Sequence, residues 1–162
     1  SFLSAANVLL TVTMLGAGAA SPAPLGVLPD PALTPGATDP AVTQETLATT
    51  ICVPGYTARV RNVSQAEKRQ VLAAYRAKHP DWPACLPGAC EYDHMLSLEA
   101  GGSNEPSNIW PEPYEIPGAP GQGARDKDKV ENAMHRLICS GRISLKEAQA
   151  RLVKDWRTAV PQ

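Results

Sequence analysis

The sequence predicts an α+β fold, and three observations carry that expectation. Two strings, "SQAE" at Ser64–Glu67 and "SLKE" at Ser144–Glu147, have the spacing of capping boxes that open helices. An alternating stretch, "EYDHMLSLE", turns through Gly101-Gly102 and leads to the proline-fenced "IWPEPY". Further on, Val130, Met134, Leu137 and Ile138 recur at i, i+4, i+7 and i+8, the spacing of one apolar helix face.

In chain order, residues 1–20 read as a signal peptide. "ANVLLTVTMLGAGAA" is apolar, short for a bilayer span, and ends in small residues suited to cleavage, although no charged n-region precedes it. An apolar core helix and an uncleaved anchor are the alternatives. The expected product is exported, secreted or periplasmic, with no stable membrane span in the mature form, and monomeric. Residues 21–50 are rich in Pro, Ala and Thr and predict a flexible linker or pro-region with little fixed structure. The globular body is then 51–162.

Within the body, "ICVPGYTARVRNV" alternates in its second half and predicts a short strand or extended entry. The helix opened by Ser64 should bury Val71, Leu72 and Tyr75 and stop before Pro80. "HPDWPACLPGAC" is loop, "EYDHMLSLE" strand and "AGGSNEPSN" turn. "IWPEPY" is extended but cannot be a central, fully paired strand. After the loop "EIPGAPGQG", a helix should run from about Ala124 to Cys139, ended by Ser140-Gly141. The last helix should bury Leu145, Ala148, Leu152, Val153 and Trp156.

Charge is unevenly placed. Every Lys and Arg lies from Arg59 onward, so residues 52–162 carry fifteen positive and thirteen negative side chains, a net of +2 against −1 for the whole chain. That permits an anionic partner without demanding one. Cys52, Cys85, Cys90 and Cys139 form an even set, which favours disulfides in an exported chain. Four cysteines allow three pairings; Cys85 with Cys90 closes the tight loop "CLPGAC", and Cys52 with Cys139 would then tie the start of the body to the late helix. A zinc-thiolate site is the rival, without any C-x-x-C pair to support it.

Several residues could carry chemistry. Asp93 and His94 are neighbours on a predicted strand, so their side chains should leave on opposite faces. Glu131 and His135 are i and i+4 at the edge of the apolar stripe, with Asp128 nearby on almost the same face. The plain alternative is a solvated Glu–His pair. Arg125, Lys127, Lys129 and Arg136 could contact phosphate, or could form a solvated helix face interleaved with Asp126 and Asp128. Trp82, Trp110 and Trp156 suit packing, His79 suits a loop, and Glu99 suits a hydrogen-bonding role in the turn.

Taken together, "DHMLSLEAGGSNEPSNIWPEPY" followed by "KDKVENAMHRLICSG" resembles the HNH endonucleases of the ββα-metal class, in particular small exported bacterial HNH-like proteins. The likeness runs from Cys52 to Trp156 and includes "CVPGYTARVR", Cys139 and the "EAQ" of the last helix. It implies a ββα-metal core with flanking helices and a metal-dependent endonuclease that hydrolyses DNA, and by the same chemistry RNA, with little sequence specificity. His94 would be the general base and Asn108 would orient its imidazole. Asp93 would be the first metal ligand, with His135 or Glu131 completing the site around Mg²⁺; Mn²⁺, Ni²⁺ and Zn²⁺ are alternative ions. The chain departs from the family pattern in spacing, since His135 lies twenty-seven residues past Asn108. The second ligand is therefore open among His135, Glu131, Asn132 and Asp128. The alternative function is a noncatalytic nucleic-acid-binding or cell-envelope protein that retains the scaffold.

Overall fold

A computed structural model describes residues 22–162; the signal-like segment lies outside the described residues. The elements are α1 (Tyr56–Val60), α2 (Gln65–Lys78), β1 (Cys90–His94), β2 (Ile109–Pro113), α3 (Ala124–Cys139) and α4 (Leu145–Lys154), joined by short 3-10 turns. The architecture is mixed, with a small two-stranded antiparallel sheet among the helices.

Local sequence explains the helix starts. Ser64 caps α2 by accepting from the Glu67 N–H at 3.2 Å, and Glu67 reaches back to the Ser64 N–H at 2.7 Å. Ser144 accepts from the Glu147 N–H in the same way, but the Glu147 carboxylate turns forward to Arg151, so only half of the predicted box forms. The segment expected to be an extended entry is instead α1. Its five residues are too few for alternation to tell strand from helix, and Gly55, at φ +77°, takes the left-handed turn that starts it.

β1 and β2 pair with His94 opposite Ile109 and Asp93 opposite Trp110. Bonds from the Met95 N–H to Asn108 O (2.7 Å) and from the Tyr114 N–H to Ala89 O (3.0 Å) set the alternation of the ladder. Pro111 and Pro113 therefore fall at the pairs where no N–H is required, which is how a proline-rich segment becomes a strand. β1 ends at His94, shorter than predicted, because the chain bends at Met95 toward a 3-10 turn over Leu98–Ala100.

The Gly-Gly turn is demanded by geometry. Gly101 sits at φ +80°, and a Cβ on Gly102 would lie 1.7 Å from Leu96 O. Asn108 clasps the loop between the strands. Its Oδ1 accepts from the Leu96 N–H (2.9 Å), and its Nδ2 donates to Leu96 O (2.9 Å) and Ser103 O (2.8 Å).

Two cores flank the sheet. Val71 and Tyr75 of α2 pack with Trp82, Met95, Ile109 and Trp110. Met134 and Ile138 of α3 pack with Leu145, Ala148, Leu152, Trp156, Ile51 and Leu96. All three tryptophans are buried, as packing residues should be. Leu72 is only partly buried and Val153 is exposed. Trp156 lies past the end of α4, in a 3-10 turn.

The expectation of a loose linker over 21–50 is corrected. Val27 is fully buried, and its carbonyl accepts from Trp156 Nε1 at 3.0 Å. Thr34 Oγ1 lies 2.6 Å from the Tyr75 hydroxyl, and Asp30 joins Lys78 (2.8 Å) and His79 (2.5 Å). Backbone bonds tie Gly36 to Ser107, Ala37 to Ser103 and Asp39 to Gly101. Proline lowers the cost of ordering such a strap, and the body supplies partners for its backbone, so few large apolar residues suffice.

The cysteines form two disulfides, Cys52–Cys139 and Cys85–Cys90, with Cα separations of 5.6 and 5.0 Å. No helix among the described residues is long and apolar enough to cross a membrane.

Candidate active site

A cavity of about 180 Å³ opens where the end of β1, the turn after it, α1 and α3 meet. Thr57, Arg61, Asp93, His94, Glu99, Asp128, Glu131 and Asn132 are among the residues that line it. Strand alternation makes Asp93 and His94 diverge as expected: Asp93 reaches toward α3, and His94 reaches toward the loop that follows the Gly-Gly turn.

His94 is 2% exposed. Its Nε2 lies 3.1 Å from Asn104 Oδ1. The Asn104 amide is oriented by its other contacts, since Nδ2 donates to Val60 O (2.8 Å) and Oδ1 accepts from the Asn62 N–H (3.1 Å). Asn104 therefore offers His94 an acceptor, so Nε2 carries the hydrogen and Nδ1 keeps a lone pair. Burial holds the imidazole pKa below its ordinary value, although the Asn104 bond and the Asp93 carboxylate oppose this. Burial thus favours the uncharged ring, and the Asn104 contact favours one tautomer.

The residue that orients this ring is Asn104. Asn108, expected in that role, has its amide committed to backbone groups of the loop and makes no bond to His94. It is fully buried and structural. Asn104 lies inside the quoted motif, but nothing in spacing alone distinguishes it from Asn108, which also follows the turn.

The Asp93 wall contains a buried cation. Lys127 is fully buried, and its ammonium donates to Asp93 Oδ2 (2.6 Å), His94 O (2.8 Å) and Glu131 Oε1. The predicted phosphate-contacting role for Lys127 is corrected: no part of it reaches solvent. A third carboxylate, Glu112, lies 3.9 Å from the ammonium, fully buried, with no N–H or hydroxyl partner and within hydrogen-bonding reach of the Asp93 carboxylate. Burial pushes Glu112 and Glu131 up, and the Lys127 charge only partly offsets this. For Asp93 burial acts in the same direction, but Lys127 outweighs it and holds the carboxyl below the ordinary carboxylate range. At the rim, partial burial and then the Asp93 charge raise Asp128.

His135 is not in the cavity lining. Its Nε2 lies 2.8 Å from Ile51 O, and Nδ1 lies 3.8 Å from Glu99 Oε2, so it stands one residue removed from the cavity. Of the other candidates for second ligand, Glu131, Asp128 and Asn132 line the cavity. Ligand atoms of Cys52, His135 and Cys139 lie within 4.8 Å of one another and could hold a metal ion. They could do so only after reduction, because both sulfurs form the Cys52–Cys139 disulfide and a metal requires thiolate.

The remaining predicted phosphate contacts are dispersed. Arg125 lies over the Tyr114 ring at 5.1 Å, Lys129 pairs with Asp126 at 2.9 Å, and Arg136 borders a separate surface hollow with Arg142. The cation that does line the cavity is Arg61, just past α1. It carried no sequence signal, because α1 itself was read as extended.

For a divalent ion the cavity offers hard oxygens from Asp93, Asp128 and Asn132, with the Glu131 carboxylate engaged by Lys127. No sulfur lines it. That donor set fits Mg²⁺ or Mn²⁺ better than a thiophilic ion. No protein family, curated protein or solved structure matches the chain.

Proposed function

We propose that the chain is an HNH-like, metal-dependent phosphodiester hydrolase acting on nucleic acid. The observation that carries this reading is the placement of an oriented neutral imidazole, an arginine and a set of carboxylate oxygens around one cavity. Asp93 and Asp128 would hold a divalent ion, which when bound offsets charge on the scissile phosphate and the leaving oxygen. His94 Nδ1 takes a proton from water as the water oxygen bonds to phosphorus and the bond to the 3′ oxygen breaks; that oxygen gains a proton from solvent. Asn104 holds the ring in the tautomer this step requires. Arg61 pairs with a non-bridging phosphate oxygen beside the base. Glu131 is held back by Lys127, and His135 supports Glu99 from behind the cavity.

Two disulfides support an exported protein, since such bonds persist in oxidising compartments. No added DNA-reading module accompanies the cavity among the described residues, which supports weak sequence discrimination. The deciding experiment incubates purified protein with plasmid DNA and with RNA in Mg²⁺, Mn²⁺, Ni²⁺, Zn²⁺ or EDTA. Cleavage should need the ion and vanish in His94→Ala; cleavage that survives in His94→Ala sinks the mechanism. A noncatalytic nucleic-acid binder is the second reading, favoured by the Lys127 cation already bonded to Asp93. Retention of DNA with no cleavage in any ion would establish it.

A further inference from the structure

The feature that the hydrolytic reading leaves unexplained is the buried ammonium behind the cavity wall. Three oxygens surround Lys127 Nζ: Asp93 Oδ2 at 2.6 Å, His94 O at 2.8 Å, and Glu131 Oε1. They match its three N–H donors one to one. A fourth oxygen donor, Glu112, stands 3.9 Å away, fully buried, with no N–H or hydroxyl partner and only the Asp93 carboxylate to share a proton with. Carboxylates from three elements, β1, β2 and α3, and a backbone carbonyl gathered around one point are the ligands a hard divalent cation takes.

We propose that Lys127 is the protein's own cation in this wall. Its ammonium occupies a position that Asp93, Glu131, Glu112 and the His94 carbonyl would otherwise present to a divalent ion. It thereby acts as a positioning residue. It holds Asp93 Oδ2 and so fixes the orientation of the carboxylate in the cavity wall that Asp93 lines. Asp93 Oδ2, at 2.6 Å, lies at the upper end of the 2.3–2.6 Å of Ca²⁺ coordination and His94 O, at 2.8 Å, just beyond it, both well outside the roughly 2.1 Å of Mg²⁺, so Ca²⁺ is the ion that replaces the ammonium with least movement, with Glu112 closing in from 3.9 Å. The inference stands apart from phosphodiester cleavage, because ion binding and stability test it without any substrate.

The experiment compares the wild type with Lys127→Met, which keeps the length of the side chain and removes its charge. In EDTA, Lys127→Met should melt about 10 °C or more below the wild type. In about 5 mM Ca²⁺ it should recover at least about half of that loss, whereas the wild type should move by no more than about 2 °C. Equal ionic strength in NaCl should not reproduce the recovery. Calorimetric titration with Ca²⁺ should count one more ion in Lys127→Met than in the wild type. A variant that melts equally low with and without Ca²⁺, or that binds no additional ion, overturns the proposal and leaves Lys127 a plain ion-pair partner. Glu131→Gln guards against a misfolded Lys127→Met. With Lys127 still in place it should stay folded and keep the ion affinity of the wild type within about threefold, about 0.6 kcal/mol. A loss of tenfold or more in Glu131→Gln would mean that Glu131 ligates the ion directly in the wild type, and would equally overturn the proposal.

Discussion

Two Asp–His combinations in this molecule are built in opposite ways. Asp93 and His94 are neighbours in sequence, yet their side chains go to different partners, Lys127 and Asn104. Asp30 and His79 are forty-nine residues apart, yet meet at 2.5 Å with Lys78 beside them. Alternation along a strand separates neighbours, and tertiary packing joins strangers. The difference also separates their uses. At the cavity the imidazole is kept apart from the adjacent carboxylate and retains a free lone pair, as a base requires. At the strap the carboxylate is held by Lys78 and the His79 ring and can do little but anchor the chain.

Substitutions can break or sharpen this contrast. The largest expected effect is on cleavage: His94→Ala should lower kcat by roughly 10²- to 10⁴-fold with little change in Tm, measured by plasmid nicking beside thermal melting. Lys127→Met should cost about 3–5 kcal/mol of stability in EDTA, read by denaturant unfolding, because it leaves Asp93 buried without a counter-charge. Next, Asn108→Ala should cost about 2–3 kcal/mol, since Leu96 and Ser103 backbone groups lose their partner in a closed space. Its effect on cleavage per folded molecule should be small. Asn104→Ala should do the reverse, reducing kcat about tenfold with KM nearly unchanged and costing less stability than Asn108→Ala, because it frees the imidazole and loses the bonds to Val60 and Asn62 but keeps the loop clasp intact. If Asn108→Ala instead behaves like Asn104→Ala, the assignment of the orienting residue is wrong.

The smallest effect is expected at the strap. Asp30→Asn should cost at most about 1 kcal/mol, as Lys78 and His79 are both partly exposed. Burial alone would raise the Asp30 pKa, but the bonds from Lys78, His79 and the Ala32 N–H outweigh it and hold the carboxyl well below the ordinary range. A group depressed on folding contributes stability above its unfolded pKa of about 3.9 and loses that contribution as pH falls below it. Wild type and Asp30→Asn should therefore differ in Tm at pH 6 and converge as acid is added. A difference that grows in acid would contradict the strap's charge clamp.

Much of the fold could be read directly. The cap of α2, the limits of α3, the glycine turn and the extended proline segment follow from local steric and hydrogen-bonding rules that act within a few residues. The strap was misjudged because composition reports how little apolar surface a segment has, whereas its order comes from partners on Tyr75, Trp156 and the Gly101–Ser107 loop. Short α1 was misjudged because five residues carry too little periodicity, and Arg61 was lost with it.

What the sequence by itself determined is the local frame: an Asp-His pair at a strand end, a helix bearing acids with one apolar stripe, and cysteines spaced for two bridges. Only the tertiary structure decided which atoms converge. It assigned the His94 tautomer through Asn104, gave Asn108 to the backbone, set His135 behind the cavity beside Ile51, and buried Lys127 among carboxylates. The physical reason is that hydrogen-bond partners and burial are properties of three-dimensional neighbours. Residue type and spacing limit which side chains can meet, and packing selects the ones that do.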